Sequence, residues 1–393
     1  MNLKKEFLKF QAKTNPYPIG IEIKKAKGTY IIDTNNNYYL DFIAGVSVCN
    51  LGHSNPKIIK AIEKQIKDYM HVMVYGEFIQ KPAVSFAKEL ASKVSSNLKV
   101  TYLTNSGTEA IEGALKLAKR YTGKKEIIAA KKSYHGSTQG ALSVLGVNKQ
   151  KKNYKPLLPK IKFIDFNDFD QISKINYKTA AVILESIQGG AGFILPKKNY
   201  LNKIKKRCEE VGSLLILDEI QPGFGRTGKL YGFQHYNLEP DILVIGKAFG
   251  GGLPIGAFCS SNIIMNSLSE NPKLGHITTF GGNPVVASAA LAALKELYNS
   301  NLMEEINFKE HLFRTYLKHP KIEKINGKGL MLAIIFKTEK DVNKIVAECL
   351  KKGLLVFWLL WEKRAIRITP PLTISKTEIK KGCNIILSVL NNL

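Results

Sequence analysis

The chain has 393 residues, 45 % hydrophobic and 23 % charged, an ordinary globular composition with enough apolar material for two or three packed domains. No apolar run approaches the roughly 20 residues that span a bilayer, the charged stretch 1–13 lacks the apolar segment of a secretory signal, and five scattered cysteines without a Cys-x-x-Cys pair argue against a disulfide framework or a zinc site, so a cytoplasmic protein without a metal is expected. The net charge of +26 raises the question of nucleic acid, but only six of the 58 basic residues are arginines and the lysines are spread beside Ile and Asn along the whole chain, so compositional drift is the reading taken and no nucleic-acid partner is expected.

In chain order, the β-prone runs 28–33 and 38–42, joined by Asn35-Asn36-Asn37, predict a hairpin. From about residue 99 the pattern alternates between strand and helix. Strands are expected at 99–104, 126–130, 180–184, 214–217 and 242–245. An amphipathic helix is expected over 109–121, with Ile111, Ala114, Leu115 and Ala118 on one face. Short strands that are apolar throughout are buried on both faces, which implies a mostly parallel sheet between helical layers. Past residue 285 the pattern changes to a long alanine-rich helix (285–298), a strand (331–336), a helix (341–352), a strand region (354–368) and a final helix (376–390). The division expected is an N-terminal segment (1–45) packing with a small domain, a large α/β domain (46–290) and a smaller α+β domain (291–393).

The chemistry-bearing residues follow the strands. Lys247 ends the run Ile242–Gly246 and precedes Ala248-Phe249-Gly250-Gly251-Gly252. Burial lowers a lysine's pKa and frees its amine as a nucleophile, the state that Schiff-base chemistry needs. Asp218 ends another apolar run. An acid after one strand and an amine after another is the arrangement found around pyridoxal phosphate. Asn105-Ser106-Gly107-Thr108-Glu109 lies between a strand and a helix, where N–H groups and hydroxyls form either a phosphate cradle or a simple cap. Tyr134 offers a ring for stacking or is a loop aromatic. Thr278-Thr279-Phe280-Gly281-Gly282-Asn283-Pro284 donates to a phosphate or starts a helix. Arg367, between Ile366 and Ile368, is either a carboxylate fork or a surface arginine.

Taken together, these motifs resemble the class III (ornithine/acetylornithine/4-aminobutyrate type) aminotransferases of pyridoxal-phosphate fold type I. The resemblance runs nearly end to end and rests most on Ser106–Ala110, Leu217–Gly228, Gly246-Lys247 and Phe280–Pro284. It implies a large domain with a mostly parallel sheet, a smaller α+β domain, and pyridoxal 5′-phosphate as cofactor. Lys247 would bond to the cofactor and carry the proton, and Asp218 would pair with the pyridinium nitrogen. Gln221 would sit near the ring hydroxyl, Ser106, Gly107 and Thr108 would hold the phosphate, and Tyr134 would stack on the ring. Thr279 would reach the phosphate in a neighbouring subunit, making a homodimer with a shared active site. Arg367 would bind the substrate carboxylate, with Glu185, Ser137 and Thr278 also at the substrate.

Two positions depart from the family pattern. Where relatives using glutamate with ω-amines have a second acid that masks the arginine, this chain has Gly190. Where they have an arginine after Tyr-His-Gly, it has Ser137. The expected reaction is amino transfer between N-acetylornithine or a similar N-acylated diamino acid, such as N-succinyl-diaminopimelate, and a 2-oxo acid, 2-oxoglutarate foremost, in arginine-type amino-acid biosynthesis. A different ω-amine or α-amino acid, an aminomutase or lyase on the same fold, and a nucleic-acid-binding protein are the alternatives.

Overall fold

The computed structural model describes residues 3–393. Its centre is a seven-stranded sheet in the order Val100–Thr104, Gly256–Ser260, Ile242–Gly246, Leu214–Asp218, Thr179–Glu185, Glu126–Ala130, Ile161–Ile164. Five neighbouring strands run parallel, and Gly256–Ser260 pairs antiparallel with both of its neighbours. All five strands read from the sequence are in this sheet. Ile161–Ile164 and Gly256–Ser260 are additions: the first carries a lysine in four residues, and the second is short and follows a glycine-rich turn, so neither has a distinctive pattern.

The inner strands are buried because each is apolar at both parities. Val182, Leu184, Leu215, Leu217, Leu243 and Ile245 enter one core, while Ala181, Ile183, Ile216, Ile242 and Val244 enter the other. This is the period-2 alternation of a strand with both faces covered. The second core is closed by the helix Gly107–Thr122, which starts on Ser106 as its cap and ends on Gly123 at φ +68°. That helix packs across the sheet through Gly113, where the Phe258 ring approaches the backbone.

Two four-stranded sheets complete the fold. Ile23–Lys27, Tyr30–Asp33 and Tyr38–Asp41 form a meander whose last strand pairs in parallel with Leu354–Leu355, so the N-terminal hairpin meets the C-terminal part of the chain. The other sheet has the order Ile322–Lys328, Met331–Phe336, Ala365–Ile368, Phe357–Trp358. The strand region expected over 354–368 is therefore three short pieces, divided between two sheets. The helices Pro284–Tyr298, Glu339–Lys351 and Lys376–Asn391 lie within a few residues of their expected bounds. Among the described residues no helix is long and apolar enough to cross a membrane, and no group of His, Cys, Asp or Glu could hold a metal ion.

The approach at Gly113 gives a direct test. A Cβ there would stand 2.2 Å from Phe258 Cε1. Alanine gains about 1 kcal/mol in helix propensity, whereas overpacking a rigid core costs about 1–3 kcal/mol. The clash offsets or outweighs the gain, so Gly113→Ala is expected to lower the urea unfolding free energy by up to about 2 kcal/mol.

Candidate active site

Three neighbouring parallel strands deliver their ends to one place. Glu185 is paired in register with Asp218, and Asp218 with Val244, three residues before Lys247. In a parallel sheet this stagger puts the carboxyl ends level, and ligands bind in the crevice beyond them. A cavity of about 440 Å³ opens there, lined by Gly107, Thr108, Tyr134, Gln221, Lys247 and Arg367, with Glu185, Asp218, His135, Gly190 and Ser137 completing much of the wall.

Lys247 is held at φ +52°, a left-handed conformation uncommon for a side chain of this size and a local strain that the surrounding structure maintains. Its amine makes no hydrogen bond or ion pair among the described residues. Burial lowers its pKa below the usual lysine range, Asp218 and Glu185 oppose that shift, and Arg367 adds to it. The result favours a neutral, nucleophilic amine.

Asp218 is 3 % exposed. One oxygen accepts from the Ile220 N–H (3.0 Å) and the other meets His135 Nδ1 at 2.8 Å. A carboxylate only accepts, so this contact pairs with a proton on His135 Nδ1 whenever Asp218 is a carboxylate. His135 Nε2 is buried without a partner. Glu185 accepts from the N–H groups of Gly189 (2.7 Å) and Tyr134 (3.2 Å). Burial pushes its carboxyl up to about 7; His135 pulls the other way and Asp218 adds to the rise.

Arg367 is buried, and that burial lowers its pKa to about 10. Its Nε donates to Trp358 O (3.1 Å), but Nη1 has no acceptor. A buried, unpaired guanidinium N–H in a cavity is a prepared seat for a carboxylate oxygen. At the other side the helix Gly107–Thr122 points its N-terminus at the cavity. The N–H groups of Gly107 and Thr108 find no acceptor among the described residues, while Thr108 Oγ1 is bonded to Thr138 Oγ1 (2.8 Å). Free N–H groups at the positive end of a helix dipole suit a phosphate.

Most of the residues singled out from the sequence converge here: Lys247, Asp218, Glu185, Gly107, Thr108, Tyr134, Ser137, Gln221 and Arg367 all line the cavity. Three do not. Ser106 Oγ accepts from the Glu109 N–H (3.3 Å), so its hydroxyl serves as the helix cap. Thr278 accepts from the Gly281 N–H (2.9 Å) and lines a separate groove with residues 74–80. Thr279 is exposed and lies outside the cavity. The residue that sequence reasoning missed is His135. It stands in the quoted Tyr134-His135-Gly136 run, but its partner lies 83 positions away.

This constellation fits pyridoxal phosphate on its own geometry. It offers an unpaired buried amine, a buried acid fixed by a histidine, a helix N-terminus with free N–H groups, and an aromatic ring beside them.

Comparison with known proteins gives the same answer. The family model for class-III aminotransferases matches residues 11–390. The chain is 40 % identical to the acetylornithine aminotransferase of Clostridium acetobutylicum over 379 residues, 93 % of this chain and 95 % of that protein. It is 38 % identical to the putrescine aminotransferase of Pectobacterium atrosepticum over 391 residues, 95 % and 83 % of the two chains. The crystal structure of the ornithine aminotransferase of Toxoplasma gondii superposes with a TM-score of 0.91 at 30 % identity, covering 99 % of this chain and 94 % of the other. With a family model matched over nearly its whole length and a cavity of the fitting chemistry, this chain belongs to the class-III aminotransferases, transaminases of fold type I that use pyridoxal phosphate.

Proposed function

We propose that this aminotransferase takes its amino group from N-acetylornithine or a similar N-acylated diamino acid, such as N-succinyl-diaminopimelate, and delivers it to a 2-oxo acid, 2-oxoglutarate foremost. The observation that carries the reading is the unpaired Lys247 amine beside the Asp218–His135 pair in a cavity that also holds the unpaired Nη1 of Arg367. The relatives named acetylornithine aminotransferase support this donor. The putrescine aminotransferase keeps a simple diamine as the second reading.

In this reading Lys247 would anchor the cofactor and would carry the proton at the substrate carbon. Asp218, held by His135, would pair with the ring nitrogen. The cofactor, when bound, supplies the electron sink for the transfer. Gln221 would sit near the ring hydroxyl, Tyr134 would stack on the ring, and the N–H groups of Gly107 and Thr108 would hold the phosphate. Arg367 takes the α-carboxylate of the amino acid. Glu185 keeps the Tyr134 and Gly189 backbone in place and, with a carboxyl pushed up to about 7, limits the negative charge beside Asp218 at neutral pH.

The working unit proposed is a cytoplasmic homodimer, each protomer divided at about residues 45 and 290. An apolar surface supports the dimer. Met70, Met73, Phe78, Ile79, Leu274, Ile277 and Phe280 are all exposed, Ile79 to 94 %. Phe78, Ile79, Leu274 and Ile277 line the groove that holds Thr278. Single exposed apolar residues are ordinary, but a contiguous patch of this kind marks a contact surface. A second copy seated on it would bring Thr278 and Thr279 to the neighbouring cavity.

Three measurements test the proposal. Lys247→Ala is expected to lower turnover by about 10³-fold or more while pyridoxal phosphate still binds, as read by equilibrium dialysis; retained activity would end the assignment. Arg367→Ala removes a charge-assisted contact of about 2–4 kcal/mol, so KM for amino acids is expected to rise some 30- to 1000-fold and KM for amines lacking a carboxylate to change little. Equal effects on both substrate types would remove that role. Ile79→Asp is expected to convert a dimer into an inactive monomer in sedimentation equilibrium, and a wild-type monomer would refute the shared site.

A further inference from the structure

The arginine read as the carboxylate seat is held from the edge of its sheet. The two-residue strand Phe357–Trp358 pairs antiparallel with Ala365–Ile368, with Phe357 opposite Arg367 and Trp358 opposite Ile366. Phe357 and Arg367 both line the cavity. Side chains alternate along a strand, so Trp358 faces the other way, toward the helix Glu339–Lys351, where its Nε1–H donates to Asn343 Oδ1 (2.8 Å). The Trp358 carbonyl accepts from Arg367 Nε (3.1 Å). One residue thus bonds to the guanidinium through its backbone and to a helix through its indole.

The bond to Nε decides how the arginine can be used. With Nε engaged, a carboxylate cannot take the sideways fork of Nε and one Nη. It is left the end-on fork of Nη1 and Nη2, neither of which bonds to another described residue. The aim of that fork follows the 358 carbonyl, which sits on the outermost strand of the sheet, two residues long and unpaired on its far side. A strand so short has little ladder of its own to fix it. What fixes it is the half-buried Trp358 ring, packed against the main core, and the bond to Asn343. The turn beyond is tied to Gly190 O by the Trp361 N–H (2.9 Å). The Lys363–Glu339 ion pair to the same helix is exposed on both sides and adds little.

We propose that Trp358 is a positioning residue for substrate binding. Anchored to Asn343, it holds the Arg367 guanidinium by Nε so that Nη1 and Nη2 meet a substrate carboxylate end-on. It acts through Arg367, and Asn343, exposed on its helix, acts through Trp358. The assignment rests on the reading of Arg367 as the carboxylate seat.

The test uses purified holoenzyme and three variants. Trp358→Phe keeps an aromatic ring and removes the indole N–H, Asn343→Leu removes the acceptor, and Asn343→Asp keeps an acceptor oxygen. Bleaching of the bound cofactor's visible band without a 2-oxo acid gives KM and the maximal rate for N-acetylornithine and for pentylamine, which has no carboxylate. Trp358→Phe and Asn343→Leu are each expected to raise KM for N-acetylornithine about two- to tenfold at an unchanged maximal rate, with little effect on pentylamine, and Asn343→Asp is expected to match wild type. The double variant is expected to be no worse than either single one, since both remove the same bond. A second readout needs no turnover: the calorimetric Kd of valerate, a carboxylate without an amine, is expected to weaken by the same factor in both variants and far more in Arg367→Ala. The assignment is overturned if the two variants bind valerate as wild type does while Arg367→Ala loses it, or if they affect both amines alike. If valerate does not distinguish wild type from Arg367→Ala, the seat itself falls and the Trp358 assignment with it. If neither amine bleaches the wild type, the donor reading falls, and the valerate titration decides the Trp358 assignment by itself.

Discussion

Everything in the cavity depends on the register of three adjacent parallel strands. Glu185, Asp218 and Lys247 stand at or just beyond the carboxyl ends of Thr179–Glu185, Leu214–Asp218 and Ile242–Gly246, and hydrogen bonding along those strands sets their relative heights. Such strands are buried on both faces, so a slip of one residue would exchange the two apolar cores and turn every functional side chain to the wrong side. The cores that make the sheet stable thereby also place the amine and the two acids. The strain at Lys247 (φ +52°) is carried by this same rigid frame.

A second constraint ties the C-terminal sheet to the large one. Arg226 is fully buried. It donates to Leu330 O (2.9 Å) and Pro370 O (2.6 Å), and its other nitrogen meets Asn50 Oδ1. Asn50 in turn donates to Phe224 O (2.8 Å). Pro370 lies three residues past Arg367, so Arg367 is positioned by a buried polar knot that joins four distant parts of the chain, at 50, 224–226, 330 and 370. Apart from Arg226 Nε, which has no partner among the described residues, the network is paired, and it holds the strand Ala365–Ile368 against the mouth of the cavity.

The family relationship fixes the type of chemistry and leaves the choice of donor open. Relatives of nearly equal identity are named for donors that differ at the end remote from the amine, one acylated and carboxylated, the other a bare ammonium. A difference of that kind is one of charge, which one or two polar contacts suffice to settle.

Much was legible from residue order alone. The apolar runs, read as strands, ended on Asp218 and Lys247, and a strand-to-helix turn with Ser, Gly and Thr located the helix N-terminus, because local patterning and strand ends are properties of contiguous sequence. What residue order left open were the choices between two local roles and the pairings across long separations. Ser106 proved to be a cap, since its hydroxyl turns back to the Glu109 N–H. Thr278 and Thr279 stay outside their own chain's cavity because the loop that carries them packs against residues 74–80. The His135–Asp218 pair and the packing of Trp361 on Gly190 join residues 83 and 171 positions apart, as the sequence numbers show. No local pattern encodes such contacts; they exist only once the sheet register and the C-terminal hairpin have brought the side chains together. The sequence by itself thus determined the elements and the reactive groups, while the tertiary structure decided which groups are paired, which stay unpaired, and therefore what the cavity is prepared to bind.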